Sequence, residues 1–485
     1  MIKQVILFIG IVCLTISLQA QEKVLELSEF SSNSGIRVKE SYTLPNQVNG
    51  ELMLLLEGQQ QFLAYLIDKE YNIESKIYID GFSKYQNLIG YNVQEDVYSL
   101  FFTNNRKTKF EILTFNFKNK TSSLKSLDFK LKKEWFIDAI NYQNKIYILS
   151  VSKNNSDLNI YTFNEDFEVS KNTSSLKSLE YKNSIDGSIF TAYNTLSYYD
   201  IAKIEPRNPN VIETTSKKTK IYVLDNQLIL SFDHRGKETQ LFYVNLDTFE
   251  LTFKAIEKPS NTEKGFVKSN SYIFDDKIFQ IASSSKKMRF TIKDLETKQK
   301  IKEYSITKED SITFKNSPII QEGGGAFSDF SKNRIREMEK TSKYLRKISS
   351  SNLGISVYKV DNEYNVILGG TKEINNGGVS HFGVGVGFGG TVGSSGALSV
   401  SFNPTYYGYG GYTSTKSTYI NCLFDKNFDH LEGDIQKNKY DLLTDFEDSL
   451  KNEPEAVTVF LHKDLLHYGF FDKKLRTYNL YRFEE

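Results

Sequence analysis

Histidine and cysteine are the side chains that most readily do chemistry at neutral pH, and both are rare in this chain. None of the histidines has the spacing of a metal-binding motif such as His-Glu-x-x-His, and Cys422 has no second cysteine near it. The sequence therefore predicts no metal site and no cofactor. The five histidines are His234, His381, His430, His462 and His467.

Two short segments bring chemically useful side chains close together. His462 and His467 are an odd number of residues apart and face opposite ways on one continuous strand, although a turn at Lys463-Asp464 brings them together. The segment Asp233-His234-Arg235-Gly236 stands between two apolar runs and ends in glycine, which is typical of a hairpin turn.

Motifs for catalysis are missing from the sequence. It has no Gly-x-Ser-x-Gly elbow, no phosphate-binding loop and no calcium loop of the Asp-x-Asp-x-Asp-Gly type. Carboxylates are abundant but scattered, so no pair stands out as a general acid and a general base. We predict no catalytic residues, and the interpretation leans away from an enzyme.

A glycine-rich stretch matches the dinucleotide-binding fingerprint in its letters alone, at Gly385-x-Gly387-x-x-Gly390. That fingerprint needs a helix that opens directly after it and an acidic residue about twenty positions further on, and the sequence has neither. We therefore reject a Rossmann interpretation.

The same stretch alternates glycine with large side chains, which places those side chains on one face of a strand and bare backbone on the other. Such a face suits close approach by another sheet, a ring-shaped ligand or a bilayer. The alternative, which stays open, is an inserted hairpin that packs on its own sheet. The candidate contact residues are Phe382, Val384, Val386, Phe388, Tyr406, Tyr407, Tyr409 and Tyr412.

Trp135 is the only tryptophan of the chain. Its apolar neighbours predict a core position in an inner strand, and the alternative is an exposed platform on which a sugar ring stacks.

The elements that must position these residues are repeated pairs of short apolar strands separated by polar turns. Tyr98 aligns with Tyr147 at a step of 147 − 98 = 49, and Leu228 aligns with Ile278 at a step of 278 − 228 = 50. Kelch-type propeller blades repeat at about 50 residues. The longer step between Tyr147 and Leu228 predicts an extra segment of about thirty residues within 182–220.

Composition agrees with strands, because the chain has 30 Tyr and 35 Phe but only 7 Pro. The predicted fold is all-β, a β-propeller of six to eight blades with seven the preferred number. It carries one short amphipathic helix and a Gly-rich β-hairpin insertion. We expect a single domain over 21–485, with insertions near 182–220, 321–350 and 371–418.

The helix is expected after the flexible Gly323-Gly324-Gly325, with Ser328 or Asp329 as its cap. Its narrow apolar stripe favours a helix packed on the sheets over one lying on a membrane surface. The stripe consists of Ile335, Met338, Leu345 and Ile348.

The first twenty residues predict a secretory signal peptide that is cut after Ala20. The apolar run over 5–18 is shorter than the roughly twenty residues that span a bilayer. The product is then periplasmic or extracellular, and Cys422 is its one remaining cysteine. We expect Cys422 to be a small apolar filler in a strand rather than half of a disulfide.

Charge is balanced, with 61 basic and 60 acidic residues, so the total predicts no nucleic-acid partner. By its blade period and strand alternation the chain resembles the secreted β-propeller proteins of Gram-negative bacteria that have no assigned activity. The Gly-His and Trp-Asp pairs of WD40 blades and the Gly-Gly doublet of kelch blades are missing, so the resemblance carries over no functional residues.

Three function classes follow. The first is an extracytoplasmic binding or scaffold propeller with an unknown protein or glycan partner. The second is a secreted enzyme that acts on glycan or peptide from a site in the central channel. The third is a membrane-associated structural protein that uses the Gly-aromatic hairpin.

Overall fold

A computed structural model describes residues 21–28, 30, 38–58, 61–81, 87–182, 189–207, 209–322, 335–373 and 415–483. The predicted signal peptide, 1–20, lies outside the described residues. So do Ser328 and Asp329 and all eight candidate contact residues, which are Phe382, Val384, Val386, Phe388, Tyr406, Tyr407, Tyr409 and Tyr412.

The described strands form seven sheets of four or five strands and one two-stranded ribbon. The first strand, β1 (Gln21–Leu27), belongs to the last sheet. Sheet 1 contains β2 (Glu40–Pro45), β3 (Leu52–Glu57), β4 (Gln61–Ile67) and β5 (Ile73–Asp80). Sheet 2 contains β6 (Asn87–Gln94), β7 (Val97–Thr103), β8 (Phe110–Asn116) and β9 (Thr121–Leu127). Sheet 3 contains β10 (Glu134–Tyr142), β11 (Lys145–Ser152), β12 (Asp157–Phe163) and β13 (Val169–Ser175).

A 3₁₀ turn (Lys177–Leu179) and a two-stranded ribbon follow sheet 3, and the predicted extra segment over 182–220 contains two helices and the first strand of sheet 4. The ribbon is β14 (Tyr181–Lys182) with β15 (Ile189–Phe190), and the helices are α1 (Ala192–Tyr198) and α2 (Ile212–Thr215). Sheet 4 contains β16 (Ile201–Ile204), β17 (Thr219–Leu224), β18 (Gln227–Phe232), β19 (Glu238–Asn245) and β20 (Leu251–Glu257). In this sheet β16 runs parallel to β17, whereas the other pairs are antiparallel.

Helix α3 (Pro259–Thr262) leads into sheet 5, and sheet 6 is the least regular sheet. Sheet 5 contains β21 (Lys268–Phe274), β22 (Lys277–Ser283), β23 (Lys287–Asp294) and β24 (Lys300–Thr307). Sheet 6 has the order β26 (Arg336–Met338), β25 (Ile319–Glu322), β29 (Thr415–Phe424), β28 (Glu363–Glu373) and β27 (Asn352–Val360). Helix α4 (Thr341–Ser349) lies between β26 and β27 in the chain, and α5 (Lys439–Ser449) follows sheet 6.

Sheet 7 combines the two ends of the described chain. It contains β30 (Glu455–His462), β31 (Leu465–Asp472) and β32 (Thr477–Phe483), and β1 completes it. β1 pairs antiparallel with β32 from Gln21↔Phe483 to Leu27↔Tyr478.

The inner strands are apolar on both faces because each sheet is covered on both sides. In β3, Leu52, Leu54 and Leu56 pack in a core shared with sheet 7, whereas Met53 and Leu55 pack in a core shared with sheet 2. Further shared cores join sheet 2 to sheet 3, sheet 3 to sheet 4, and sheets 4, 5 and 6 together. Burying one such side chain contributes about 1.5–3 kcal/mol, so these shared cores dominate the stability.

Helix α5 follows sheet 6 in the chain and packs against sheet 7. Asn438 caps it with a capping box in which the Asn438 side chain and Asp441 bond each other's backbone N–H groups. Leu443 and Phe446 pack in the core of sheet 7. One helix was predicted, and the described chain has five. The Asn438-x-x-Asp441 spacing is the signal that identifies α5 from sequence.

The predicted helix near 328–348 is shorter than expected. Arg336–Met338 forms strand β26, which pairs with β25 and buries Met338. The helix begins only at Thr341, and Ile335 is exposed rather than part of the apolar stripe. Strand pairing satisfies the backbone before Thr341, so the helix cannot extend towards Ser328.

The prediction for Trp135 is wrong, and that for Cys422 is confirmed. Trp135 lies in β10, the first strand of sheet 3, and is 45% exposed. The strand's register shifts between Phe136 and Asp138, and the core positions begin after the tryptophan, at Phe136. Cys422 is fully buried opposite Val366, and burial raises the pKa of its thiol well above the usual range.

Candidate functional site

The described part of the chain holds no group of three or more His, Cys, Asp or Glu side chains placed to bind a metal ion. Among the helices that the structure describes, none is long and apolar enough to cross a membrane. The Asp233-His234-Arg235-Gly236 segment is a turn between β18 and β19, as predicted. The features of the described residues that could serve a function are therefore buried charge clusters and exposed surfaces.

Asp233 lies at the centre of a fully buried charge network. Its carboxylate is 3.0 Å from the Nζ of Lys258 and 3.4 Å from the Nζ of Lys220. The hydroxyls of Ser271 and Thr239 donate to it at 2.7 and 2.9 Å. Burial alone would raise the pKa of Asp233, but the two ammonium groups and Ser271 hold it well below the usual value. Burial lowers the pKa of Lys220 to about 8 despite the attraction of Asp233.

This network joins three sheets. Lys220 is in β17 of sheet 4 and donates to Asn270 Oδ1 of sheet 5 at 2.6 Å. The Asn270 amide in turn donates to the backbone carbonyl of Leu353 in sheet 6. Each buried charge has hydrogen-bond partners within the protein, so the network acts as a structural junction. The sequence analysis missed it, although Lys220 stands inside an apolar strand, which is a signal for a paired buried charge.

The segment from β16 to α2 contacts several sheets. Lys203 in β16 lies 3.0 Å from Asp138 in sheet 3, and Asn210 donates to the hydroxyl of Tyr272 in sheet 5 at 3.0 Å. Burial lowers the pKa of Lys203, and the Asp138 carboxylate opposes that shift. A side chain at Gly354 of β27 would collide with Ile212 of α2, whose Cγ1 would lie 2.7 Å from a Cβ. The predicted 182–220 insertion thus contributes contacts in the interior.

The turn at Lys463-Asp464 brings His462 and His467 together. Both turn residues have positive φ, at 51° and 62°, which fits a two-residue hairpin turn. The imidazole ring centroids are 5.8 Å apart. Burial lowers the pKa of His462 to about 4 and that of His467 to about 3, so both rings are neutral.

The neutral rings are fixed by contacts with sheet 1. His462 Nε2 donates to the carbonyl of Gly50 at 3.1 Å. His467 Nδ1 donates to the carbonyl of Leu465 at 3.1 Å, which leaves Nε2 to accept from the hydroxyl of Tyr71 at 2.6 Å. The pair is therefore a joint between sheets 7 and 1.

Two of the other histidines are also held by neighbouring side chains, and the third lies outside the described residues. The Thr219 hydroxyl is 2.9 Å from a ring nitrogen of His234, and burial lowers the pKa of His234 to about 4. A ring nitrogen of His430 is 3.1 Å from Asn316 Oδ1. His381 is the histidine outside the described residues.

A groove of about 360 Å³ lies between the outer parts of sheets 1 and 2. Its lining mixes apolar side chains with hydroxyls and one carboxylate, and it brings together none of the residues that the sequence singled out. The lining residues are Phe62, Ile79, Asp80, Gly81, Leu113, Ser122, Ser123 and Leu124.

The base of the predicted contact surface is described, although the eight contact residues are not. β28 and β29 pair along their whole length, up to Glu373↔Thr415, so residues 374–414 join two neighbouring strands at one end of sheet 6. At the same end, Gln321 of β25 pairs with both Thr418 of β29 and Arg336 of β26. We call this end of the sheet, where Glu322, Arg336, Glu373 and Thr415 lie, the sheet 6 end.

Helix α4 packs against the sheet 6 end. Its Tyr344 hydroxyl donates to the carbonyl of Leu368 at 2.9 Å, and Leu345 and Ile348 are buried in the same core as Ile420. Lys347 Nζ donates to Gln321 Oε1 at 3.1 Å. We define the cationic cluster as the basic residues of α4 and of the neighbouring strand ends, which are Arg336, Lys343, Arg346, Lys347, Lys372 and Lys416.

Comparison with known proteins adds distant likenesses. No family model matches the chain, and no curated protein matches it. A crystal structure of a member of the DUF4221 family from Bacteroides vulgatus is similar at 9% identity and a TM-score of 0.29, over 96% of this chain and 99% of that one. The β-propeller domain of Nup133 from Vanderwaltozyma polyspora is similar at 10% identity and a TM-score of 0.33, over 95% of this chain and 97% of that one. A function therefore has to rest on this chain's own residues.

Proposed function

We propose that the seven sheets are the blades of a closed β-propeller and that the protein is an extracytoplasmic binding or scaffold module. The chain of shared cores supports closure, because sheets 7 to 1, 1 to 2, 2 to 3, 3 to 4 and 4 to 6 are joined in turn. Helix α5 follows sheet 6 in the chain and packs in the core of sheet 7, and β1 pairs with β32 inside sheet 7.

The observation that supports the binding function is the attachment of residues 374–414 to β28 and β29. The strands that flank them, β28 and β29, are fully paired and contribute Leu368 and Ile420 to the core. The described core thus holds both ends of the segment on a rigid hairpin, which suits a contact element that projects from a scaffold. We propose that the sheet 6 end and the contact residues from Phe382 to Tyr412 meet a protein or glycan partner.

Binding is favoured over catalysis because the buried charges serve structural contacts. Asp233 is neutralised by Lys220 and Lys258, and Lys203 pairs with Asp138. A general acid or base would need a free titrating atom directed at a substrate. No observation on the described residues favours the membrane-associated alternative.

Site-specific photo-crosslinking tests this proposal in cells that produce the whole chain. A benzophenone amino acid replaces Phe388 in one variant and, as a matched control, the exposed Tyr78 of β5 in another. We expect a discrete covalent adduct from position 388 and none from position 78. Equal adducts from both positions, or none from either, would overturn the proposed binding face. The mass of the secreted protein tests the export step, since cleavage after Ala20 leaves Gln21 first.

A further inference from the structure

We propose that the cationic cluster binds an acidic polysaccharide. This inference rests on the proposed function, because it names the partner chemistry of the same sheet 6 end. The observation that supports acidic polysaccharide binding is the arrangement of charges on the described strands and on α4.

Strand alternation separates the charges of the sheet 6 end by sign. Gln321 pairs with Arg336 and with Thr418, so these three side chains share one face of the sheet. Lys416 is two residues before Thr418 in β29 and pairs directly with Lys372 of β28, so both lysines lie on that face too.

The nearby carboxylates of the strands lie on the opposite face. Glu337 alternates with Arg336 and Met338 in β26 and pairs with Ile320 of β25. Glu322 follows Gln321 in β25 and accepts a hydrogen bond from the hydroxyl of Tyr419 at 3.1 Å. One face of the sheet end is therefore basic and the other is acidic. Glu339, between β26 and α4, is the acidic residue nearest to the helix in sequence.

Helix α4 adds three cations to the basic face. Its buried side chains fix the helix on the sheet, which leaves Lys343 and Arg346 exposed and Lys347 half-buried. The helix contains no acidic residue. These cations therefore sit on a rigid element rather than on a loop.

Among the described residues, the salt bridges of the protein involve none of the six cations of the cluster, whereas many other lysines of the chain form ion pairs. Burial lowers the pKa of Lys347, and the positive charges of Lys416, Arg336, Arg346 and Lys343 lower it further. Unrelieved repulsion among fixed like charges is reduced by an anionic ligand.

The position of the apolar side chains favours a soluble polyanion over a bilayer. Tyr344, Leu345 and Ile348 face the core, so α4 has no apolar face to insert between lipids. Cations spread over three strands and a helix suit a flexible chain with repeated carboxylates. The four lysines of the cluster are point charges and its two arginines are exposed, so all six can bind anions without a shaped pocket.

Binding of the purified mature protein to polygalacturonate tests the inference, with neutral dextran as the control polymer. The test variant is Lys343→Gln with Arg346→Gln and Lys372→Gln, all exposed positions. The matched control carries the same charge change elsewhere, at the exposed Lys118, Lys132 and Lys426, each changed to Gln. We expect the test variant to bind about tenfold or more weakly and the control variant to bind like the original protein. The salt dependence of binding should also fall, by roughly one unit of the log–log slope per contacting cation removed.

Three outcomes would overturn the inference: polygalacturonate binding that the test variant retains, dextran binding of equal strength, or no polymer binding at low salt. Binding of the original protein to vesicles of phosphatidylglycerol in place of the polymer would assign the cluster to a lipid surface instead. The photo-crosslink at position 388 forms with any partner, whatever its chemistry. If the crosslink forms but polygalacturonate does not bind, the binding face is retained and only the acidic polysaccharide as its partner is overturned. Thermal unfolding of each variant confirms that the loss does not come from misfolding.

Discussion

At the scale of single residues, the buried histidines make stability depend on pH. The pKa values of His462 and His467 lie below the value of about 6.5 that an unfolded chain has. As pH falls through 6.5 the unfolded chain takes up protons that the folded protein does not, so the folded state becomes less stable relative to the unfolded state. This contribution is complete above pH 6.5 and is lost towards pH 4.

We therefore expect the free energy of unfolding to fall between pH 7 and pH 4.5, by about 2 kcal/mol for each of these histidines. Urea unfolding at several pH values measures this dependence. A double variant with His462→Gln and His467→Gln should be less stable at pH 7 and should show a shallower slope. A slope that the double variant leaves unchanged would assign the pH dependence to other groups.

The Asp233 network predicts an asymmetry between its members. Asp233→Asn leaves Lys220 and Lys258 buried without a counter-charge, and we expect it to cost about 3–5 kcal/mol. Lys220→Met leaves one carboxylate paired with one ammonium group and should cost clearly less. Denaturant unfolding compares the two variants. If Lys220→Met lowered the free energy of unfolding more than Asp233→Asn, pairing of opposite charges would not be the main contribution of this network to stability.

At the scale of elements, apolar strands are the part of the fold that could be predicted from sequence. The runs that contain Leu54, Tyr147 and Leu228 form β3, β11 and β18, because a strand buried on both faces is apolar almost throughout. β16 and α5 were not predicted. Lys203 of β16 is explained only by a neighbour that is distant in the chain, Asp138, whereas α5 has a local signal in the Asn438-x-x-Asp441 capping box.

The candidate site was also predictable only in part, because some of its residues are brought together from distant parts of the chain. Gly alternation singled out residues near 382–412 from local sequence. The cationic cluster depends on the register of β25, β26, β28 and β29, which joins residues that are up to 100 positions apart, such as Gln321 and Thr418 at 418 − 321 = 97. Charges that cancel in the composition are thus separated in space.

Capping of α5 provides a test at this scale. Asn438→Ala removes the side chain that accepts from the backbone N–H groups of Tyr440 and Asp441. We expect a loss of about 1–2 kcal/mol in unfolding free energy. Asn438→Asp keeps the cap acceptor and should lose much less. Equal losses for the two variants would show that capping is not the role of this residue.

At the scale of the whole molecule, the pairing of β1 with β32 predicts that the first strand is essential to the fold. A chain that starts at Val38 lacks β1 and the buried Leu25, Leu27 and Phe30, and it exposes the edge of β32 and one face of β3. We expect this truncated protein to lose cooperative thermal unfolding and to aggregate. Addition of a synthetic peptide of residues 21–30 should restore solubility and the thermal transition, because the peptide can add a strand to the open edge.

A control peptide with Leu25 and Leu27 changed to Asp keeps the length but cannot fill the core, so it should not rescue the truncated protein. A truncated chain that unfolds at the original temperature without any peptide would contradict the proposed closure.

The pairing of β1 with β32 also means that sheet 7 cannot be completed until the end of the chain has been synthesised. Leu27 meets Tyr478, which is 478 − 27 = 451 residues later in the chain. A ribosome adds about 5–20 residues per second, so β32 is synthesised roughly 20 to 90 seconds after β1. During that time Leu52, Leu54 and Leu56 present an apolar surface with half of their core missing. Protection of this nascent surface from aggregation is therefore a requirement that the architecture imposes on the cell that makes the protein.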